Sequence, residues 1–191
     1  MKKAEIRRAY LNKRKEISKE DIKLASMNIS AVFFREIDLS EVKILHIFIP
    51  IKKFNEVDTW LIIHKIWSKY PSIQTATSIT ENDKLRHVLF NKSTIFIDDN
   101  WGIPTPQNGQ IVNVNEIDLV VTPLLAFDSN LQRVGYRKGC YDKFLSECKL
   151  QVKKVGVSLF PVLENLIENT NPHDIPLDEI ITPRTKWDLK S

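Results

Sequence analysis

The sequence predicts an α/β fold with a largely parallel central sheet, and three observations carry that expectation. Apolar runs of strand length alternate with helix-length segments from Lys43 to Thr182. One of those runs, Leu119-Val120-Val121 ahead of Pro123, reads as a buried strand. Beyond it, Arg133, Gly135, Arg137, Lys138 and Gly139 crowd into seven positions just before a helix-like segment carrying Tyr141 and Asp142. A strand, a basic glycine-containing loop and a helix start together make an anion cradle. Backbone N–H groups at a helix N-terminus face the ligand, and nearby cations add charge. In open α/β sheets, ligands sit beyond the carboxyl ends of the strands, within reach of this loop.

The elements follow in order. Residues 2–17 read as a helix, and Ser18 is a candidate N-cap for a second helix over 19–36. Residues 43–51 read as a strand closed by Pro50. Residues 57–70 read as a helix with Trp60, Ile63, His64 and Trp67 on one 3.6-period face. Strands are expected over 73–79 and 85–90, and 100–110, rich in Pro and Gly, is expected to be loop. A strand over 117–122, a helix over 140–150, a strand over 155–160 and a short strand over 180–182 complete the chain. With no repeat and no low-complexity linker, residues 1–191 are expected to form one domain.

Composition narrows the function classes. Hydrophobic residues make 42% and charged residues 27%, as in an ordinary globular protein. No run of 18 apolar residues occurs, so no membrane span or membrane partner is expected. The first residues, MKKAEIRRAYLNKRKE, lack the apolar centre of a signal peptide. Two cysteines, Cys140 and Cys148, are too few for a disulfide scaffold and lack metal-site spacing, so reduced thiols and a cytoplasmic location are expected. A net charge of +4 suits an anionic small molecule as readily as nucleic acid. The basic residues are spread out with no aromatic-rich motif, so no nucleic-acid partner is expected. The chain is expected to act as a monomer on a small molecule.

Several constellations could carry chemistry. Lys3, Arg7 and Arg14 fall within roughly 40° of one another on the first helix at about 100° per residue, with Tyr10 on the same stripe. Such a stripe is either a solvated face or one that reaches a second segment once Ile6 and Ile17 dock the helix. Glu56 follows the strand over 43–51, where a carboxylate can accept donors from a polar ring; the dipole of the helix behind it would also favour an acid there. Trp101 heads a turn and either stacks on a flat ligand or anchors its loop. Of the four histidines, no two have helical metal-pair spacing, and His46, His64 and His87 read as core or surface residues. Cys140 sits at a helix start beside cations, but no histidine can be placed next to it. Asp142 and Asp174 could hold Mg²⁺ with phosphate oxygens; for Asp174 the alternative is a turn residue before Pro176. No P-loop, dinucleotide or kinase signature is present.

These residues, taken in order, resemble the 5-formyltetrahydrofolate cyclo-ligase (methenyltetrahydrofolate synthetase) family. Its hallmark has the form PxxxFDxxGxRxGxGKGYYDxxL. Here that block runs from Pro123 through Phe127-Asp128, Arg133, Gly135 and Lys138-Gly139-Cys140-Tyr141-Asp142 to Leu145. The Lys3/Arg7 pair, the Ile-Pro-Ile and Glu-Val-Asp-Thr segments at 49–59, the Gly-Ile-Pro-x-Pro turn at 102–106 and the tail with Asp174 and Asp178 accompany it in family order. Three positions depart from the pattern: Leu131 replaces a turn Gly, Arg137 a loop Gly and Cys140 an aromatic. If position 137 needs a positive φ, Arg there costs on the order of 1–2 kcal/mol.

The resemblance implies a three-layer α/β/α sandwich and an enzyme. It implies ATP- and Mg²⁺-dependent closure of 5-formyltetrahydrofolate to 5,10-methenyltetrahydrofolate, giving ADP and phosphate. It also implies the site. Lys3, Arg7, Arg133, Gly135, Tyr136, Arg137, Lys138, Gly139, Cys140 and Tyr141 would bind ATP. Ile51, Glu56 and the 136–140 loop would line the folate site. Lys138 and Arg133 would serve the chemistry, and Asp142 and Asp174 the Mg²⁺. The rival expectations are a catalytically impaired folate- or nucleotide-binding protein of the same fold, and, more distantly, a nucleic-acid-binding protein.

Overall fold

Ile44 and His46 turn to one face of the central sheet while Leu45 and Ile47 turn to the other, and all four are buried. That strand, β1 (Ile44–Ile47), has no exposed side because helices cover both faces. The computed structural model describes residues 1–81, 84–99, 102–136 and 139–189. Its helices are α1 (Lys3–Glu16), α2 (Lys19–Glu36), α3 (Trp60–Lys69) and α4 (Cys140–Glu147). The strands after β1 are β2 (Gln74–Glu81), β3 (Lys84–Phe90), β4 (Phe96–Asp98), β5 (Pro104–Pro106), β6 (Leu119–Pro123), β7 (Ala126–Phe127), β8 (Arg133–Val134), β9 (Lys153–Val157), β10 (Glu179–Ile181) and β11 (Lys186–Asp188).

The seven-stranded sheet has the order β11-β10-β9-β6-β1-β2-β3. Its centre, β10-β9-β6-β1-β2, is parallel, and β3 and β11 close its edges antiparallel. On one face, Leu45, Ile47, Leu119, Val121 and Val155 meet Ile29 and Phe33 of α2 and Ile62, Ile63 and Ile66 of α3. On the other, Ile44, Val120 and Ile180 meet Phe144 and Leu145 of α4. The predicted three-layer α/β/α architecture is therefore present. Chain direction follows from the same covering: β1–α3–β2 crosses over one face toward one edge, and β6–α4–β9 over the other face toward the opposite edge. The two progressions diverge between β1 and β6, which is the switch point where such sheets open a crevice.

The structure corrects several element expectations. The buried face of α3 is Ile62, Ile63 and Ile66, with His64 exposed. Trp60, His64 and Trp67 pack ring to ring at 5.6–6.3 Å along the edge of that face. Residues 100–110 are not all loop, since Pro104–Pro106 pair antiparallel with Phe96–Asp98. Between β6 and the basic loop stands a two-stranded ribbon, β7–β8, whose turn is set by Asp128. The Asp128 carboxylate is 1% exposed and accepts from the backbone N–H groups of Asn130, Gln132 and Ile167. The helix α1 lies on this ribbon, with Ile6 buried against Ala126, Val134 and Ile167.

Candidate active site

A cavity of about 400 Å³ opens at the carboxyl ends of β1 and β6, the size of a small-molecule site. Phe48, Ile49 and Ile51 after β1, and Pro123 at the end of β6, make its floor. Thr59 Oγ1 donates to Phe48 O at 2.7 Å and so fixes the chain as it leaves β1. Glu56 Oε2 accepts from the Ile51 N–H at 2.8 Å, which folds the 51–56 segment back and brings Glu56 to the cavity wall.

The opposite end is cationic. Lys3 and Arg7 reach it from α1, and Arg7 Nε donates to Gly135 O at 2.9 Å, tying that helix to the basic loop. Arg133 enters from β8. Its guanidinium is buried and engaged, Nη2 donating to Asp142 Oδ1 at 2.9 Å and Nη1 to Ile175 O at 2.5 Å. Burial lowers its pKa, and the charges of Asp142, Tyr141 and Asp174 oppose that shift. Lys3 Nζ lies 2.5 Å from Asp174 Oδ2. Partial burial raises the Asp174 pKa, but the Lys3 and Asn171 contacts outweigh it and hold the carboxyl below its ordinary value.

Asp142 and Asp174 belong to one wall. Asp142 Oδ1 also accepts from the Ile175 N–H at 3.0 Å, so the residue after Asp174 is hydrogen-bonded to Asp142. Two carboxylates beside three cations suit Mg²⁺ that arrives with phosphate oxygens. Among the described residues there is no group of three or more His, Cys, Asp or Glu able to hold a metal unaided.

The start of α4 has the form the sequence suggests. Gly139 is its N-cap, with φ 74°, and a Cβ there would meet nothing within 4 Å, so this backbone faces open space. Tyr136, just ahead, packs its ring on Phe54 at 4.5 Å, and this contact joins the basic loop to the Glu56 segment. Tyr141 is raised in pKa, first by burial and then by Glu56. Cys140 lines the cavity, and among the described residues no histidine lines it with Cys140.

Twelve of the predicted site residues line this one cavity: Lys3, Arg7, Ile51, Glu56, Arg133, Gly135, Tyr136, Gly139, Cys140, Tyr141, Asp142 and Asp174. Trp101, Arg137 and Lys138 lie outside the described residues. Sequence reasoning missed Thr77, Ser78 and Thr80 of β2, Asn169 and Asn171 ahead of Asp174, and Ile103 and Pro104 as lining. The run of hydroxyls in β2 was a usable signal, since a strand beside a switch point directs its last side chains to the crevice.

The comparisons with known proteins agree with this geometry. A model of the 5-formyltetrahydrofolate cyclo-ligase family matches residues 1–183. The 5-formyltetrahydrofolate cyclo-ligase of Mycoplasma genitalium is 34% identical over 147 residues, 73% of this chain and 72% of that one. The structure of Aquifex aeolicus 5,10-methenyltetrahydrofolate synthetase covers 100% of this chain and 94% of its own, with a TM-score of 0.81 and 25% identity. That of the Mycoplasma pneumoniae 5,10-methenyltetrahydrofolate synthetase, at 21% identity, TM-score 0.71 and 96% of this chain, supports the fold. A matching family model over nearly all of the chain, a relative of this identity and coverage, and the hallmark residues gathered around one cavity lead to one conclusion: the chain belongs to the 5-formyltetrahydrofolate cyclo-ligase family.

Proposed function

We propose that this enzyme closes 5-formyltetrahydrofolate to 5,10-methenyltetrahydrofolate with ATP as co-substrate, releasing ADP and phosphate. The observation that carries the reading is the two-ended cavity: cations and two carboxylates at one end, Glu56 and an apolar floor at the other, with Gly135, Tyr136, Gly139, Cys140 and Tyr141 lining it as well. A formamide oxygen is a poor leaving group. Its attack on the γ-phosphorus of ATP breaks the bond to ADP and turns that oxygen into a phosphate ester. N10 then adds to the formyl carbon, the carbon–oxygen bond breaks with loss of phosphate, and N10 gives up its proton. No covalent bond to the protein is needed, only positioning and charge neutralisation.

Lys3, Arg7 and Lys138, with backbone N–H groups from Gly135 through Tyr141, are assigned to the phosphates. Arg133 holds Asp142 in place and adds positive charge beside the transferring group. Asp142 and Asp174 are assigned to Mg²⁺, which neutralises phosphate charge when it is bound with the nucleotide. Ile51, Glu56, Tyr136 and the loop through Cys140 are assigned to the folate, Arg137 among them. Mixing the protein with 5-formyltetrahydrofolate, ATP and Mg²⁺ should produce the near-ultraviolet absorbance of the methenyl product, with one ADP per product and no change without ATP. Folate binding with no ADP release would replace this reading with that of a catalytically impaired binder.

A further inference from the structure

Arg14 has no part in the mechanism above, yet it is only 4% exposed, and its Nε and Nη2 have no hydrogen-bond partner among the described residues. A guanidinium does not shed its proton inside a protein, so this is a buried cation. Burial lowers its pKa, and the charge that acts most strongly to offset this is Glu56. Both residues line a small cavity of about 10 Å³, otherwise walled by apolar groups such as Phe48, Val57, Leu124 and Phe160. That volume is about that of one water molecule. The backbone of Arg14 holds the same segment from the other side, because Asn55 Nδ2 donates to Arg14 O at 3.0 Å. Asn55 stands at φ 50°, a left-handed position directly before Glu56. Both ends of Arg14 thus bear on the turn that presents Glu56 to the large cavity.

We propose that Arg14 is a positioning residue for the folate end of the site, holding the Glu56 carboxylate turned into the large cavity. This rests on the assignment of Glu56 to the folate. A buried cation with open N–H groups in apolar surroundings is costly by itself, and a nearby carboxylate offsets that cost.

The test is a double-mutant cycle on the whole enzyme. Arg14→Met should remain folded and weaken 5-formyltetrahydrofolate binding about tenfold. Its KM for ATP should change by less than about twofold, and Arg14→Lys should recover part of the folate affinity. In a Glu56→Gln background the same Arg14→Met change should alter folate affinity by less than about twofold, since the group it acts through is gone. Equal losses in both backgrounds, or a KM for ATP raised as much as that for folate, would overturn the proposal. If Arg14→Met does not fold, the cycle run with Arg14→Lys decides by the same criterion. Unchanged folate affinity in Glu56→Gln alone would instead overturn the assignment of Glu56, a separate failure.

Discussion

Leu131 stands at φ 56°, where most side chains are strained, and yet it is 1% exposed and packed with Phe127, Phe144 and Leu177. The family pattern has Gly here. Leucine accepts a strain of about 1–2 kcal/mol for a left-handed residue and offsets it by burial worth about 1.5–3 kcal/mol. Restoring glycine should therefore destabilise the protein by about 2 kcal/mol despite relieving strain, because it opens a cavity in the core. Denaturant titration of Leu131→Gly checks this, and a gain in stability would mean that strain dominates. At the other end of the site, Lys3→Met should raise the KM for ATP by about tenfold or more while folate affinity holds, as loss of one charged phosphate contact would. Steady-state kinetics with each substrate varied in turn separates the two. The cysteines divide as well: burial pushes the Cys148 thiol up to about 11, which makes it inert at neutral pH, whereas Cys140 lines the cavity.

Between β1, β2, β3 and α4 the decisive element contact is a pair of imidazoles. His46 Nε2 lies 2.9 Å from Ser78 Oγ, His87 Nδ1 lies 3.2 Å from the same hydroxyl, and the ring of His87 stacks on Phe144 at 4.1 Å. Burial lowers both pKa values, that of His87 to about 4 and that of His46 well below the ordinary 6.5. The unfolded chain therefore binds more protons than the folded one below pH 6.5. The stability from this pair is complete above that pH and drains away as pH falls toward 4. Melting temperature followed from pH 7.5 to 4.5 should fall by several degrees more in the native protein than in His87→Gln. Parallel curves would remove the histidines from the account.

In sequence His46, His64 and His87 read as core or surface residues without a choice between the two; the fold buries His46 and His87 and leaves His64 exposed. The three-layer plan and the cavity-lining residues were legible: apolar periodicity marks covered strands, and cations and glycines stand out between them. What was not legible depended on partners distant in sequence. The β4–β5 pairing is carried by a strand with two prolines, and prolines argue against a strand until an edge position excuses them. Strand β11 is only three residues with mixed polarity. The α3 face was misplaced because Trp and His fit the same period as Ile, and only packing separates the buried stripe from its rim. For Arg14 the sequence left a solvated face and a reach toward a second segment both open, and only the fold brings its backbone and side chain to the Asn55–Glu56 turn.

For the whole molecule, the arrangement predicts that ligands stabilise by bridging parts of the chain. ATP with Mg²⁺ at about a hundred times its dissociation constant should add about 2.7 kcal/mol, or a rise of roughly 5–10 °C in melting temperature. Chelating the metal should reduce that rise, and Asp142→Asn with Asp174→Asn should make it independent of Mg²⁺; an undiminished metal effect in that variant would place the ion elsewhere. No helix among the described residues is long and apolar enough to cross a membrane.

The Lys3–Asp174 ion pair has a further consequence, for time rather than affinity. It joins the first turn of α1 to a segment that follows five of the seven strands of the sheet. Contacts of such sequence separation are costly to close early, and they form once shorter loops have already been paid off in order. During refolding the sheet should therefore gain its signal before the cationic end of the cavity exists, so nucleotide binding should return after secondary structure. A chain emerging from synthesis holds Lys3 and Arg7 long before Asp174 is made, and the cavity they line together is among the last features it acquires.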